Sequence, residues 1–233
     1  MNQSFYCLDL GITKCYLLAC ADGYLLIDTG YSSDYHKFVK IMNKLGIVLS
    51  KIKYLLLTHH HDDHAGFAAH LVKAAGCRLI VHKNAVVPLK NGVSLDSMSP
   101  VNKRIKFVFS AFLLFHKNFE YPSVDLSNSD VIISDDQSEI LRQIGINGKI
   151  IYTPGHTDDS ISVVLDNGNA FVGDAAMNFL QWCGIKYRPI YIDNIEEVYK
   201  SWNRLKEYGA KKIYPAHGKP FLINKLFTSQ TLD

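Results

Sequence analysis

The chain has 233 residues, of which 48% are hydrophobic and 20% are charged, and its formal net charge is +3. This composition is typical of one globular domain with enough apolar side chains for a core. The basic residues are scattered along the sequence, so the charge pattern of a nucleic-acid-binding protein is absent and no such partner is expected. The five cysteines form no CxxC pair, which is typical of free thiols in a reducing compartment.

The N-terminus also bears on where the protein acts. It has no basic leader and its apolar run is interrupted by Asp9, so a secretory signal is not expected. No stretch approaches the 18 or so consecutive apolar residues that a membrane span requires. These features predict a cytoplasmic protein with no membrane partner.

Strand and helix patterns alternate through the first part of the chain. Two apolar runs joined by the turn CADG predict a hairpin over 14–30. The segment 33–46 has a Ser/Asp start, apolar positions at helical spacing and a final glycine, which predicts an amphipathic helix. A buried strand over 52–58, a short helix over 65–76 and a strand over 78–82 follow. The order β-β-α-β-α-β predicts sheet layers covered by helices.

Residues 88–130 interrupt this pattern. They begin with turn-forming residues and continue with an aromatic-rich segment over 107–119. We interpret them as an insertion with one or two helices. The insertion forms either an apolar lid over a substrate site, with Phe112 and Phe115 in its wall, or a contact between the two copies of a homodimer. The basic residues expected at the entrance of such a lid are Lys103, Arg104, Lys106 and Lys117.

The second half of the chain repeats the theme of the first. Strand patterns resume at 130–134 and 149–157 and are followed by a second hairpin over 160–174, whose turn is predicted at Asn167–Gly168. An amphipathic helix over 194–209 and a strand over 211–218 complete the pattern. This duplication predicts two similar layers stacked face to face.

The segment THHHDDHAG at 58–66 concentrates ionisable side chains directly after a buried strand. Imidazole nitrogens and carboxylate oxygens are the ligands of catalytic zinc sites, and a strand end holds them rigidly. Alternate side chains of an extended segment share a face, so His60 and Asp62 are expected to point away from the others. The predicted ligands of this segment are therefore His59, His61 and Asp63, with His64 at the turn into the following helix.

Three later strand patterns also finish on a residue of ligand type. They are IYTPGH, which ends at His156, AFVGD, which ends at Asp174, and KIYPAH, which ends at His217. Asp28 follows an earlier strand in the same manner. Four independent segments with this ending predict one shared metal site.

Together these motifs resemble the signature of the metallo-β-lactamase-fold hydrolases, which is HxHxDH followed on later loops by a lone His, a lone Asp and a lone His. Asp28 in LIDTG matches the early aspartate of that family. The resemblance covers the chain from about Tyr16 to Gly218, apart from the insertion. It implies an α/β fold in which two mixed sheets are flanked by helices, a four-layer αββα sandwich.

The resemblance also implies a role for each site residue. The first metal ion would be held by His59, His61 and His156. The second would be held by Asp63, His64 and His217, and Asp174 would bridge the two. Zinc is the expected metal, with manganese and iron as alternatives. A water bridging two such ions has a lowered pKa and serves as the nucleophile. Asp63 and Asp28 are the predicted catalytic carboxylates, Asp28 by orienting a ligand imidazole.

The sequence specifies the reaction less closely than it specifies the site residues. The expected activity is hydrolysis of a small ester, thioester or lactone with an apolar moiety. Met177 stands where similar lactonases carry a tyrosine, which counts against lactonase activity. Few residues follow His217, so the helical domain that grips glutathione in glyoxalase II-type enzymes is not expected. A mononuclear iron oxygenase similar to persulfide dioxygenases and a phosphodiesterase remain as alternatives.

Other ionisable residues are expected to have structural roles. His60 is predicted to pack or hydrogen-bond near the site, and Asp62 to begin a helix or support a ligand. Asp158 and Asp159 are interpreted as turn or cap residues. The histidines interpreted as ordinary surface or interface residues are His36, His70, His82 and His116.

Overall fold

The computed structural model of the protein describes residues 4–94, 98–112 and 119–228. Within these residues the chain forms 13 β-strands and eight α-helices. The strands are β1 (Phe5–Asp9), β2 (Lys14–Cys20), β3 (Gly23–Ile27), β4 (Ile52–Leu56), β5 (Arg78–His82), β6 (Ser99–Pro100), β7 (Val131–Ile133), β8 (Gly148–Tyr152), β9 (Ile161–Leu165), β10 (Asn169–Phe171), β11 (Tyr191–Ile192), β12 (Lys212–Tyr214) and β13 (Phe221–Leu222). The helices are α1 (Tyr35–Lys44), α2 (Asp62–Ala65), α3 (Ala68–Ala75), α4 (Val86–Asn91), α5 (Lys103–Phe112), α6 (Glu139–Gln143), α7 (Ile195–Glu207) and α8 (Asn224–Thr228).

The strands form two large mixed sheets and one small one. The first sheet has six strands in the order β1-β2-β3-β4-β5-β7, and the second has five in the order β13-β12-β10-β9-β8. Strands β3, β4, β5 and β7 run parallel, while β1, β2 and β3 are antiparallel neighbours. Strands β6 and β11 pair by themselves. Both hairpins predicted from the sequence are confirmed, as β2–β3 and as β9–β10.

The two large sheets pack face to face, and this contact is the centre of the core. Burying apolar side chains stabilises the contact by about 25 cal/mol per Å² of area removed from water. The interface consists of buried side chains from both sheets, among them Leu18, Leu25, Leu56, Ile80, Ile150, Ile161, Val163 and Phe171. The predicted face-to-face stacking is therefore confirmed.

Helices cover the outer faces of both sheets. Phe38 and Met42 of α1 and Leu71 of α3 pack on the six-stranded sheet. Trp202 of α7 and Leu226 of α8 pack on the five-stranded sheet. Each helix buries only the stripe that faces its sheet, as expected for amphipathic surface helices. The result is the αββα sandwich predicted from the sequence.

The segment interpreted as an insertion forms its own small cluster beside the second sheet. Ile105 of α5 packs with Met177, Cys183 and Ile185. Strand β6 pairs with β11, which attaches this segment to the chain that precedes α7. Phe115, His116, Lys117 and the side chain of Phe112 lie outside the described residues.

The site-bearing segments follow strands from both sheets. Asp28 comes directly after β3, the His-rich segment after β4, and His156 after β8, while Asp174 and His217 follow β10 and β12. The face-to-face packing brings these strand ends to one edge of the sandwich. No helix among the described residues has the length and hydrophobicity needed to cross a membrane.

The two tryptophans offer a matched test of this packing. Trp202 is fully buried and its Nε1 donates a hydrogen bond to the carbonyl of Ala175 at 2.7 Å, whereas Trp182 is 69% exposed. Trp202→Ala is expected to lower the free energy of unfolding by about 3–5 kcal/mol because it leaves a cavity. Trp182→Ala is expected to change it by less than about 0.5 kcal/mol. Urea unfolding monitored by circular dichroism measures both, and equal effects would contradict the assigned core.

Candidate metal centre

Three histidines converge through their ring nitrogens at the edge of the sandwich. His59 Nε2 lies 3.1 Å from His61 Nδ1, and His156 Nε2 lies 3.2 Å from each of these atoms. All three side chains are buried. A tetrahedral metal ion bound at 2.0–2.1 Å holds its nitrogen ligands about 3.3 Å apart. The triangle of nitrogens therefore has the dimensions of one side of a metal coordination shell.

A second group of ligand atoms lies beside the first. His217 Nε2 is 3.0 Å from Asp63 Oδ2, and His64 Nε2 is 3.7 Å from Asp63 Oδ1. The ligand atoms of these three residues all lie within 4.8 Å of one another, as do those of the first group. The structure thus brings the residues of both predicted ligand sets together, each set in its own cluster.

Asp174 lies between the two groups. Its Oδ1 is 3.5 Å from His64 Nε2 and 3.4 Å from His217 Nε2. Its Oδ2 is 3.7 Å from His156 Nε2, on the side of the first group. One carboxylate therefore directs one oxygen toward each group of ligands.

Four of the imidazoles are held in orientation by a hydrogen bond at Nδ1, the ring nitrogen that does not face the site. His64 donates to Asp28 Oδ2 at 3.0 Å, and His59 donates to Thr58 Oγ1 at 3.1 Å. His156 donates to the carbonyl of Tyr191 at 2.8 Å, and His217 to that of Ile12 at 3.0 Å. A proton held at Nδ1 leaves the Nε2 lone pair directed at the site, which is how metal-binding histidines are oriented. His61 differs because it presents Nδ1.

Asp28 has the supporting contact expected for it. Besides accepting from His64, its carboxylate accepts from the backbone N–H and the hydroxyl of Thr58 at 2.7 and 2.8 Å. The residue has a φ of 61°, in the left-handed region that side chains other than glycine seldom adopt. Three hydrogen bonds to a buried carboxylate hold it in this strained conformation.

The protonation of the site differs between its two sides. Burial, reinforced by neighbouring imidazoles, lowers the pKa of His59 and lowers that of His156 to about 4. Burial opposes the charged form of His217 as well, but the charges of Asp174 and Asp63 outweigh it and raise the pKa to about 9. Burial would likewise raise the pKa of Asp174, yet the neighbouring histidines lower it to about 2. The lowered pKa values favour neutral imidazoles at His59 and His156 and an ionised carboxylate at Asp174.

The donor set fits divalent metal ions. His64 Nε2 and Asp174 Oδ1 are buried and have no hydrogen-bond partner among the described residues. Buried polar atoms without a partner are destabilising, and a cation between them would satisfy both. Nitrogen and carboxylate oxygen atoms in two adjacent clusters are the ligands expected for such ions.

The local structure of the His-rich segment differs from the prediction. Only residues up to Leu56 belong to the strand, and helix α2 begins at Asp62. Asp63 therefore does not share a pleated face with His59 and His61, and a helical turn presents Asp63 and His64 instead. The role of Asp62 as a helix-start residue is confirmed.

His60 and Asp159 form a buried pair that the sequence did not reveal. His60 Nδ1 lies 3.1 Å from Asp159 Oδ1, and both residues are 1% exposed. Asp159 lies in a turn, as predicted, and its carboxylate also holds His60 and so ties the His-rich segment to the loop that carries His156. His82 is also buried, where it stacks on Tyr152 at 4.5 Å, and is not a surface residue. No spacing signal in the sequence would have identified these pairs.

Asn178 fixes the loop that carries His217. Its Oδ1 accepts from the N–H of Lys219 at 2.6 Å, and its Nδ2 donates to the Lys219 carbonyl at 2.8 Å. Its backbone N–H donates to the carbonyl of His217 at 3.3 Å. This amide therefore links the segment after Asp174 to the His217 loop and holds their spacing.

A largely apolar cavity of about 490 Å³ lies over the site. Its floor contains His61, Asp63, His156, Asp174 and His217. Its apolar wall includes Val108 and Phe109 of α5, together with Phe119, Phe179, Leu180, Ile190 and Tyr191, and Tyr31 and Ser94 add hydroxyl groups. The cavity has the size and the apolar lining of a small-molecule site with a few polar groups at its base.

A sequence model described as the Metallo-beta-lactamase superfamily matches residues 8–217. The chain belongs to this superfamily. The resemblance stated from its motifs is therefore confirmed.

Relatives within the superfamily are distant. A lactamase-like protein of Pestalotiopsis microspora is 26% identical over 218 residues, which cover 92% of this chain but 51% of the relative. The chain thus spans about half the length of that protein. A probable metallo-hydrolase of Methanocaldococcus jannaschii is 26% identical over 199 residues, 84% of this chain and 82% of the relative.

Solved structures of the superfamily share the fold. A metallo-beta-lactamase family protein of Thermus thermophilus superposes with a TM-score of 0.68 at 22% identity, covering 98% of this chain and 77% of that one. At this identity the similarity establishes the architecture alone.

The buried His60–Asp159 pair predicts a pH-dependent stability. Burial would raise the pKa of Asp159, but the hydrogen bond and charge of His60 outweigh it, and the pKa is lowered. A carboxylate with a lowered folded-state pKa stabilises the protein above its unfolded pKa of about 4, and that contribution is lost as the pH falls through the folded-state pKa. Asp159→Asn is expected to lower the free energy of unfolding at pH 7 by about 1–3 kcal/mol.

The difference between wild type and Asp159→Asn should shrink as the pH falls below about 4 and should vanish below the folded-state pKa of Asp159, where both side chains are neutral. Denaturant unfolding at a series of pH values measures it. Asp158→Asn, at the exposed neighbouring position, is the matched control and is expected to change stability by less than about 0.5 kcal/mol. A pH-independent difference would contradict the ion pair.

Proposed function

We propose that the protein is a metal-dependent hydrolase that holds two divalent ions, zinc being the first candidate, and cleaves a small ester, thioester or lactone with an apolar moiety. The observation that carries this proposal is the position of Asp174, whose two carboxylate oxygens face two separate groups of ligand atoms. The similarity to a probable metallo-hydrolase supports the same class of reaction.

The residues of the chain have distinct tasks in this reaction. When bound, two divalent ions would supply a water of lowered pKa as nucleophile and would polarise the substrate carbonyl. Asp174 and Asp63 keep negative charge between the histidine groups, and Asp28 keeps His64 in the tautomer that binds metal. The cavity above them excludes water and receives the apolar part of the substrate.

Phe109 is placed to contact the acyl part of such a substrate. It lines the cavity, and its ring packs against that of Tyr191 at 4.5 Å between centroids. Tyr191 also accepts the hydrogen bond from His156 through its carbonyl. Tyr191 therefore joins the apolar wall to a ligand imidazole. This contact would align a bound acyl group with the metal site.

The metal assignment is tested with His61→Ala. This variant is expected to lose bound metal and more than roughly 100-fold in kcat/KM, since a ligand contributes at least as much as the residues that support it. Elemental analysis and assays with thioesters, lactones and phosphodiesters measure both. His70→Ala, an exposed histidine, is the control and should retain metal and activity.

Elemental analysis of the wild type also separates the alternatives. Two ions per chain are expected. One iron per chain with oxygen uptake during turnover would instead favour the oxygenase, and preferential cleavage of phosphodiesters would favour the phosphodiesterase.

The apolar wall is tested with Phe109→Ala. For hexanoyl or phenylacetyl thioesters, KM is expected to rise roughly 10-fold because the acyl group loses an apolar partner, while KM for acetyl thioesters should change little. Phe107→Ala is the matched control on the same helix, since Phe107 is 79% exposed and points away from the cavity wall. Equal changes for long and short acyl groups would show that Phe109 does not contact the substrate.

A further inference from the structure

Two segments of the chain meet beside the cavity. Asn102 Nδ2, at the start of α5, donates to the carbonyl of Cys183 at 3.0 Å, and the N–H of Val101 donates to the carbonyl of Ile190 at 2.9 Å. Ile105 and Cys183 are buried in the same small cluster. Helix α5 and the segment around Trp182 are therefore neighbours.

The charge of the protein is concentrated in these segments. Residues 98–112 and 175–192 contain five Lys or Arg residues and no Asp or Glu, whereas the rest of the chain has 20 basic and 22 acidic residues. On α5, three exposed cations lie within four positions: Lys103, Arg104 and Lys106. None of these three forms an ion pair within the part of the chain that the structure describes. These three cations are close together in the sequence, and the helix keeps all of them exposed.

The same surface exposes two large aromatic side chains. Phe107 on α5 is 79% exposed and Trp182 is 69% exposed, the highest values for aromatic residues in the described part of the chain. A single exposed apolar side chain is ordinary, but two beside three cations form a surface that is both basic and aromatic. We call Lys103, Arg104, Lys106, Phe107 and Trp182 the basic aromatic face.

The charge decides what this face can bind. In a two-fold dimer the same patch of both copies meets at the interface. The three cations of one copy would then lie against those of the other and repel them. An anionic lipid surface attracts the cations and also accepts Phe and Trp side chains at the level of the headgroups. We propose that the basic aromatic face binds peripherally to an anionic lipid bilayer.

This proposal goes beyond the proposed hydrolase activity and revises the expectation of no membrane partner. It requires no membrane span, since an amphipathic helix can lie in the interface. Helix α5 presents the cations outward, while Val108 and Phe109 on its other side line the cavity. A protein docked in this way would hold its apolar cavity next to the bilayer, where apolar esters concentrate.

Vesicle binding by the wild-type protein tests the proposal. Co-sedimentation is expected with vesicles of phosphatidylcholine and phosphatidylserine, with much weaker binding to phosphatidylcholine alone and weaker binding at high salt. Trp182 should shift its fluorescence to shorter wavelength on binding, while buried Trp202 gives a constant background. Absence of binding to the anionic vesicles, or equal binding to both kinds, would overturn the proposal.

Variants locate the surface. Replacing Lys103, Arg104 and Lys106 together with Ala is expected to weaken partitioning onto anionic vesicles roughly 100-fold, since each cation near the surface contributes about fivefold. The double variant Phe107→Ser with Trp182→Ser is expected to weaken it as well, as measured by co-sedimentation. The matched control removes three exposed lysines from α1 and α3, namely Lys40, Lys44 and Lys73.

The control should retain at least half of the wild-type binding, and an equal loss in the control would show that net charge rather than this face is responsible. Sedimentation without vesicles supplies another contrary outcome: a wild-type dimer that Phe107→Ser with Trp182→Ser dissociates would identify a second copy as the occupant. Thermal unfolding verifies that the variants fold. Because binding is measured without substrate, failure of the proposed hydrolase activity would leave this result unaffected.

Discussion

The structure depends on a group of buried imidazoles and carboxylates that converge from several strand ends. Removing such groups from water is costly unless each finds a partner. The chain provides part of the compensation itself, because Asp63 and Asp174 pair with His64 and His217. His64 Nε2 and Asp174 Oδ1 lie 3.5 Å apart but form no hydrogen bond among the described residues, so a cation bound between them would supply the rest. Binding of that cation and folding of this edge of the sandwich would then be coupled.

The surrounding residues hold this arrangement in place at some cost in backbone conformation. Asp28 adopts a left-handed backbone conformation and is held there by Thr58 and His64. The buried pair of His60 and Asp159 fixes the other side of the His-rich segment to the loop before β9. A site assembled from two sheets needs such ties, because a shift of one sheet against the other would separate its ligands.

Tyr191 connects this site to the segment interpreted as an insertion. Its carbonyl orients His156, its ring packs on Phe109 of α5, and its strand pairs with β6. Tyr191 thus contacts both the wall that would select a substrate and a histidine that would bind metal. The outer side of the same helix carries the cations and Phe107 of the basic aromatic face, so the cavity wall and the proposed bilayer contact lie on two sides of α5.

The sequence by itself determined the αββα architecture and the residues that come together at the site, because strand patterns and ligand-type residues at strand ends are local signals. Their individual metal roles remain predictions. The prediction of an extended chain through Asp63 missed the helical turn that presents Asp63 and His64. Over so few residues, the sequence pattern does not distinguish an extended segment from one turn of helix. The tertiary structure alone decided the partnership of His60 with Asp159, the burial of His82 and the proximity of Cys183 to the start of α5. Each of these depends on contacts between segments far apart in the chain, which form only when those segments pack.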